Sequence, residues 1–219
     1  MQRFTIHSHC LAAIACLGDS TAWGQVTNIG PFTGAVSESF ESYPNYTVAA
    51  FTNPATLLGE AAVLSFPSEM RVYEPLSGAT FGQIVFWQDS DVADGLKGLG
   101  FMVYPSAREI ATLTFATPIT DFGGYWRAFT DEAQYMVFNF FNCAGDLAGQ
   151  ESILSQNESP LVWHGWHYAQ PIKTVTFDGL MMAADGLQAN PVPEPRAWVL
   201  LAAAGLALAG WQSRRKSAG

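Results

Sequence analysis

Short segments in which apolar and polar residues alternate are the dominant pattern of this 219-residue chain. They are rich in β-branched and aromatic residues, and each is bounded by Gly, Pro, Asn or Asp. A period of two is typical of β-strands, and no segment carries the apolar stripe of an amphipathic helix. The segments are 36–40, 80–87, 99–104, 110–116, 134–141 and 172–177. They predict an all-β fold, specifically an antiparallel β-sandwich or jelly roll.

A β-hairpin is predicted within residues 136–154. Two apolar strands there flank residues 142–149. Gly145 can adopt the positive φ that a tight reversal requires.

The central part of the chain, residues 25–190, is predicted to be one domain. It is long enough to bury a sizeable core and too short for two domains of typical size. It contains 17 acidic and five basic residues, a net charge of −12. Such a surface repels phosphate groups, which argues against nucleic acid as a partner, and it suits an external protein that recruits divalent cations.

Residues 1–24 are predicted to be a secretory signal peptide. Arg3 supplies the positive end, residues 11–17 supply the apolar centre, and Ala22-Trp23-Gly24 is a small-x-small cleavage site. Removal of this segment would also remove Cys10 and Cys16. Cys143 is therefore expected to be an unpaired thiol in the mature chain.

The C-terminal residues predict a membrane-spanning helix at 197–213. The run from Ala197 to Trp211 carries no charge, has a Trp near each end, and is followed by a basic stop at Arg214, Arg215 and Lys216. Such basic residues stay on the cytoplasmic side. The helix would be on the order of 25 Å long against a hydrocarbon core of about 30 Å. The sequence thus indicates a marginal anchor, with the tail inside and the body outside.

A short motif precedes this helix, namely Val192-Pro193-Glu194-Pro195. Its two prolines favour an extended backbone, the form in which a protease binds a segment. The order of motif, apolar helix and basic end, over residues 191–219, resembles the PEP-CTERM sorting signal of exported bacterial proteins. This resemblance implies recognition by an exosortase-type membrane protease, transient anchoring in the inner membrane, and release to the cell surface or extracellular matrix. Arg196 departs from the family, which often carries Ser or Thr there.

A second resemblance covers residues 111–188. The matching motifs lie at 113–124, 140–147, 163–167, 171–177 and 186–188. They look like the β-sandwich ectodomains that commonly carry this sorting signal, which are similar to carbohydrate-binding and galactose-binding-like jelly rolls. The resemblance implies exopolysaccharide or cell-surface glycans as partners. The family often has two adjacent acids near its end, whereas this chain keeps only Asp185.

Three carboxylates in one loop, Asp89, Asp91 and Asp94, form a candidate calcium site. Calcium prefers six to eight oxygen ligands, and Gly95 would permit the bend that such a loop needs. The spacing does not match an EF-hand, since Gly100 stands where the last acidic ligand belongs. The alternative is a solvated acidic loop, and no cofactor other than calcium is indicated.

An aromatic segment at 161–168 is the candidate sugar-binding strand. In a β-strand its side chains alternate between two faces. One face would carry Trp163, Gly165 and His167, and the other His164, Trp166 and Tyr168. Trp163, Trp166 and Tyr168 are the candidates for stacking on a sugar ring. The alternative is ordinary core packing on one face, and two histidines on opposite faces do not suit a joint metal site.

Enzyme signatures are sparse. The nucleophile-elbow, zinc-protease and phosphate-loop motifs are absent, and Glu38 and Glu41 are interpreted as ordinary strand residues. The sequence therefore predicts an exported, non-enzymatic cell-surface or matrix protein, processed by an exosortase-type system and associated with exopolysaccharide. A calcium-dependent carbohydrate-binding module and a secreted glycan-processing enzyme are the two alternatives.

Overall fold

The structure is a computed structural model, and it describes residues 26–43, 54–73, 80–81, 84–85, 93, 95–102, 109–128, 134–155, 161–179 and 182–192. All regular secondary structure in these ranges is β-strand, and every strand pair is antiparallel. The predicted all-β class and antiparallel pairing are confirmed. Within these same ranges, no helix is long and apolar enough to cross a membrane.

Thirteen strands are assigned in the described ranges. They are β1 (Val26–Ile29), β2 (Val36–Glu38), β3 (Ala55–Leu57), β4 (Ala62–Ser65), β5 (Glu69–Tyr73), β6 (Thr80–Phe81), β7 (Ile84–Val85), β8 (Gly98–Met102), β9 (Glu109–Ala128), β10 (Gln134–Asn142), β11 (Leu147–Ser155), β12 (Val162–Gly179) and β13 (Met182–Pro191). Eleven of them form one sheet, with the main order β11-β10-β12-β9-β13-β8-β5. Strand β1 pairs with β12, β2 with β13, and β4 with both β3 and β9. Strands β6 and β7 form a separate pair.

The two longest strands, β9 and β12, change partners along their length. Their register jumps between the pair His167 with Asp121 and the pair Ile172 with Ile119. Pro118 and Pro171 lie at this break, where a residue without an N–H group interrupts the ladder least. On one side of the break the long strands pair with β4 and β10, and on the other side they pair with β1 and β13.

The core lies between these two halves of the sheet. Trp126 and Trp166 come from the half that pairs with β1 and β13, whereas Phe138 and Phe177 come from the other half. The ring centroids of Trp166 and Phe138 are 4.7 Å apart, and those of Trp126 and Phe177 are 5.1 Å apart. All four side chains are buried. The two halves therefore face each other across a continuous aromatic core.

The predicted hairpin is confirmed, with a tighter turn than expected. Strands β10 and β11 pair directly, and β11 already begins at Leu147. In the turn, the Gly145 amide donates to the carbonyl of Asn142 at 3.1 Å, and the Asn142 amide donates to the carbonyl of Asp146 at 3.0 Å. Gly145 has a φ of 88°, the conformation for which glycine is favoured.

Cys143, in the same turn, corrects one expectation. It is disulfide-bonded, and its partner lies outside the described residues. The expectation of an unpaired thiol rested on removal of both other cysteines with the signal peptide.

The segment 80–87, predicted as one strand, is instead two short ones. Thr80 pairs with Val85 and Phe81 with Ile84, so the chain reverses between them. Only Gly82 and Gln83 separate the two strands, and a two-residue connection that contains glycine is typical of a hairpin. The β-branched and aromatic residues correctly indicated strand structure on both sides of the turn. Because these residues run through the whole segment, they did not indicate the turn itself.

Several predictions fall outside the described residues. These are the signal peptide at 1–24, the motif residues Pro193, Glu194 and Pro195, the membrane helix at 197–213 and the basic stop at 214–216. Val192 is described as a half-exposed residue directly after β13. The sorting signal and the domain bounds stay predictions.

Candidate functional site on the outer face of the sheet

The aromatic strand β12 places its side chains alternately inside and outside. Trp166 is 0% exposed and Tyr168 is 3% exposed, and both rings pack against Phe140 in the core. Trp163 is half-buried on the opposite face. The rings of Trp166 and Tyr168 are therefore closed to a ligand, and sugar stacking stays a prediction for Trp163 alone.

The two histidines of this strand lie in different environments. His164 is half-buried on the inner side, with its ring stacked at 6.4 Å from that of Trp166. Loss of hydration on burial lowers its pKa, so the neutral ring is favoured at neutral pH. His167 is on the outer face and 52% exposed. No group of three or more His, Cys, Asp or Glu side chains that could hold a metal occurs in the described part of the chain.

Trp163 lies against the sheet over two glycines that pair with each other, Gly123 and Gly165. A Cβ atom on Gly123 would lie 2.6 Å from Cζ2 of Trp163, and one on Gly165 would lie 2.8 Å from its Nε1. That Nε1 donates a hydrogen bond to the carbonyl of Ile29 at 3.1 Å. Because glycine has no side chain, Gly123 and Gly165 leave room for the indole of Trp163, and the hydrogen bond to Ile29 fixes its orientation.

Two further rings meet this indole edge to face. The centroid of Phe32 is 5.7 Å from that of Trp163 at an interplanar angle of 87°, and Tyr125 is at 5.3 Å and 74°. All three residues are half-buried. Phe32, Tyr125 and Trp163 form what we name the outer aromatic cluster.

The connection between β1 and β2, residues 30–35, passes over this face. It crosses β9, because β1 pairs with β12 and β2 pairs with β13, and the contact of Phe32 with Trp163 places it on this face. The amide of Gly34 donates to Oε1 of Gln188, and the amide of Ala35 donates to Oδ1 of Asn190, both at 2.9 Å. Two side chains of β13 thereby hold the connection that carries Phe32.

A group of hydrogen-bonded polar side chains lies on the same face. It is centred on the pair of His167 with Asp121, two residues along β12 and β9 from the pair of Gly165 with Gly123. His167 contacts Asp121 at 2.7 Å through Nδ1 and Oδ1. Asn190 Nδ2 and Thr120 Oγ1 donate to the other oxygen of Asp121 at 3.1 and 3.0 Å. We name Thr120, Asp121, His167 and Asn190 the outer polar group.

The carboxylate of Asp121 is held in its ionised form. Burial alone would raise its pKa, but the hydrogen bonds from the rest of the outer polar group outweigh burial and lower the pKa below its usual value. An ionised carboxylate only accepts hydrogen bonds, so Nδ1 of His167 carries the proton. In the neutral ring Nε2 is then the acceptor, which leaves an oriented polar atom on the exposed part of the side chain.

The predicted calcium ligands Asp89, Asp91 and Asp94 lie outside the described residues, but their neighbours are described. Ala93 donates its amide to Oδ2 of Asp185 at 2.7 Å. The amides of Leu96 and Lys97 donate to Oε1 of Glu41 at 2.6 and 2.7 Å. Gly95 has a φ of 84°, which agrees with the bend predicted there.

The sequence reasoning missed the roles of these two acids. Glu41 was interpreted as a strand residue, whereas it follows the end of β2 and binds the segment around Gly95. Asp185 is 0% exposed, yet it was noted only as a departure from a family motif. The sequence could have indicated this role, since Asp185 stands between Ala184 and Gly186 in an otherwise apolar stretch. An acid in such a stretch is expected to be buried, and a buried carboxylate needs hydrogen-bond donors.

No family model and no curated protein matches this chain. Among solved structures, the enzymatically active domain of tailspike protein 4 of bacteriophage CBA120 has a TM-score of 0.31 and 13% identity. That match covers 60% of this chain, which spans only 19% of the tailspike chain. The CBM22-1 xylan-binding domain of Paenibacillus barcinonensis Xyn10C has a TM-score of 0.26 and 10% identity, over 73% of this chain and 99% of that domain. At these values neither structure assigns a family or a ligand to this chain.

Proposed function

We propose that this chain is an exported, non-enzymatic protein of the cell surface or extracellular matrix, and that its β-sandwich or jelly-roll domain associates with exopolysaccharide. The observation that carries the glycan association is that the outer aromatic cluster and the outer polar group share one sheet face. Aromatic rings beside oriented hydrogen-bonding groups are the usual components of a sugar-binding surface. Glycan association is therefore the function that this geometry supports best.

Preorganisation supports binding at this face. The indole of Trp163 is fixed by its hydrogen bond and by the glycines beneath it, and Asp121 is fixed by three donors. Groups that are already ordered lose little entropy when a ligand binds. The extended, shallow form of a sheet face also suits a polymer better than a small metabolite.

The proposed route to the surface rests on the two ends of the sequence. Residues 1–24 would direct export, and the motif from Val192 to Pro195 would present an extended segment to an exosortase-type membrane protease. The marginal helix at 197–213 would hold the protein in the membrane until that protease acts. Weak anchoring suits a segment that serves only transiently.

Mass spectrometry of the mature C-terminus tests this route. We expect surface-located protein to end near the Pro193-Glu194-Pro195 motif and to lack Arg214, Arg215 and Lys216. A Glu194→Ala variant should accumulate in the membrane fraction with its tail intact. Surface protein that retains residues 214–216 would overturn the sorting proposal and leave the glycan proposal untouched.

Retention on exopolysaccharide from the producing cells tests the glycan proposal. Replacing Trp163 or His167 by alanine should reduce retention by about fivefold or more, since each change removes a stacking or hydrogen-bonding contact worth about 1 kcal/mol. Tyr135→Ala is the matched control, because Tyr135 is an exposed aromatic residue on β10. Thermal unfolding of each variant separates lost binding from lost folding. Equal retention of all variants would contradict a role for this face.

The two alternatives predict different results with the same protein. A calcium-dependent binding module would lose retention when a chelator is added. A glycan-processing enzyme would release reducing ends from the polysaccharide, and Asp121→Asn would abolish that release. Such an enzyme could use the imidazole of His167, which is oriented by its hydrogen bond to Asp121, to transfer protons.

A further inference from the structure

A polar cavity lies apart from the outer aromatic cluster, between the end of β2 and the turn that joins β3 to β4. Its volume is about 640 Å³, within the roughly 300–1,000 Å³ that is usual for ligand sites. The lining residues are Ser37, Glu38, Ser42, Tyr43, Thr56, Gly59 and Glu60. Nothing in the proposed function uses this cavity.

One carboxylate fixes the backbone on both sides of the cavity. Oε1 of Glu38 accepts the amide of Phe40, and Oε2 accepts the amide of Leu58, both at 3.2 Å. Phe40 and Leu58 are fully buried and have positive φ values of 60° and 57°, which non-glycine residues rarely adopt. Their strained conformations are thus held by Glu38 and by core packing, so the walls exist before any ligand arrives.

Tyr43 joins the two walls. Its hydroxyl lies 3.3 Å from Oε2 of Glu38 and 3.2 Å from the carbonyl oxygen of Thr56. Burial, together with the charge and hydrogen bond of Glu38, raises the pKa of Tyr43 to about 12. The phenol therefore stays protonated and remains a donor at any physiological pH.

The open surface of the cavity consists of hydrogen-bonding groups. Ser37, Ser42, Thr56 and Glu60 are exposed there. No Lys, Arg or His occurs among the described residues that line it, and two of the lining residues are carboxylates. One ammonium lies beside the cavity, that of Lys97, whose Nζ donates to the carbonyl oxygen of Tyr43 at 2.6 Å. The two carboxylates of the lining outnumber it, so the cavity is acidic and disfavours phosphates, uronic acids and other anions, while its acceptors match the hydroxyl groups of a neutral sugar.

We infer that this cavity is a binding site for a neutral sugar unit, in which Glu60 and Thr56 contact the sugar hydroxyls and Tyr43 forms one wall. This inference goes beyond the proposed function, because it does not depend on the outer aromatic cluster or the outer polar group. Two separate sugar contacts on one domain would strengthen attachment to a polymer, since the second contact forms at high effective concentration.

Nuclear magnetic resonance titration of the full chain tests the inference, in a detergent that has no sugar headgroup. The probes are methyl glycosides of glucose, galactose and mannose, with glucuronate and calcium chloride as separate arms. We expect saturable shifts of amides in residues 37–43 and 54–60 with at least one neutral glycoside, and none with glucuronate. Glu60→Gln and Thr56→Val should each weaken that binding by about fivefold, the effect of one lost hydrogen bond.

The controls are matched to these variants. Glu151→Gln and Thr27→Val make the same chemical changes on β11 and β1, neither of which lines the cavity, and should leave binding unchanged. His167→Ala should also leave it unchanged, which separates this site from the outer face. The inference is overturned if no neutral glycoside shifts these amides, if the cavity variants bind as the parent does, or if calcium alone produces the shifts.

Discussion

Trp166→Ala is expected to lower the free energy of unfolding by about 3–5 kcal/mol, the range for removal of a large buried aromatic side chain. The indole of Trp166 is 0% exposed. Its centroid lies 4.7 Å from that of Phe138, 5.3 Å from that of Phe140 and 6.2 Å from that of Phe122. Phe138 and Phe140 lie on β10 and Phe122 lies on β9, and the pairing of both strands with β12 limits how far these rings can close on the space that the indole leaves. Urea denaturation followed by circular dichroism would measure the change.

Trp166→Phe separates packing from polar effects. The indole Nε1 is buried with no hydrogen-bond partner in the described part of the chain. Replacing the indole by a phenyl ring keeps most of the contacts and removes that unpaired donor, so the loss should be clearly smaller than for alanine. Tyr135→Ala, at an exposed ring, should change stability by about 0.5 kcal/mol or less. If Trp166→Ala had as small an effect as Tyr135→Ala, the ring of Trp166 would not lie in the core. Stacking of Trp166 on a sugar would then again be possible.

The sequence was informative wherever the structure depends on neighbours along the chain. Alternation divided the side chains of β12 correctly between two faces, because a strand has a fixed period of two. Gly145 located the β10–β11 turn, because a positive φ is a local property of the backbone. Thr80–Phe81 and Ile84–Val85 were merged into one strand, since their alternation is continuous and only Gly82 indicates the reversal.

Strand β13 was missed for a physical reason. Residues from Met182 to Leu187 are buried on both faces, so their sequence shows no alternation of polar and apolar side chains. Small residues such as Ala183 and Ala184 also have low β-propensity. The strand exists because β9, β8 and β2 all pair with it, which is information that no window of its own sequence contains.

The candidate site was predictable only in part. Trp163 and His167 were assigned to one face, but the residues that orient them, Ile29 and Asp121, lie 134 and 46 positions away in the chain. Glu38 is a strand residue, as predicted, but its sequence position did not indicate that its carboxylate binds the backbone amides of Phe40 and Leu58. Side chains that organise other segments leave little local pattern, since their partners depend on the tertiary fold.

Asp185→Ala is expected to lower the free energy of unfolding by about 2–4 kcal/mol, because it removes a buried side chain that accepts two backbone amide hydrogen bonds. Asp185 is fully buried, and its two oxygens accept the amides of Ala93 at 2.7 Å and Gly186 at 2.6 Å. Without the carboxylate, the Ala93 amide loses its acceptor. Denaturant unfolding would measure the global effect, and hydrogen exchange at Ala93 would measure the local one.

Glu41 allows the local and global effects of Asp185 to be separated. It holds the amides of Leu96 and Lys97 independently, so these two should stay protected in Asp185→Ala while Ala93 exchanges faster. Asp185→Asn keeps one acceptor oxygen but turns an NH₂ group towards a donor, so its stability should fall between those of the parent and the alanine variant. Asp146→Ala, at an exposed turn position, is the matched control and should change stability by about 0.5 kcal/mol or less. Unchanged exchange at Ala93 in Asp185→Ala would mean that the carboxylate does not hold this loop, and the segment around Gly95 would then depend on Glu41 alone.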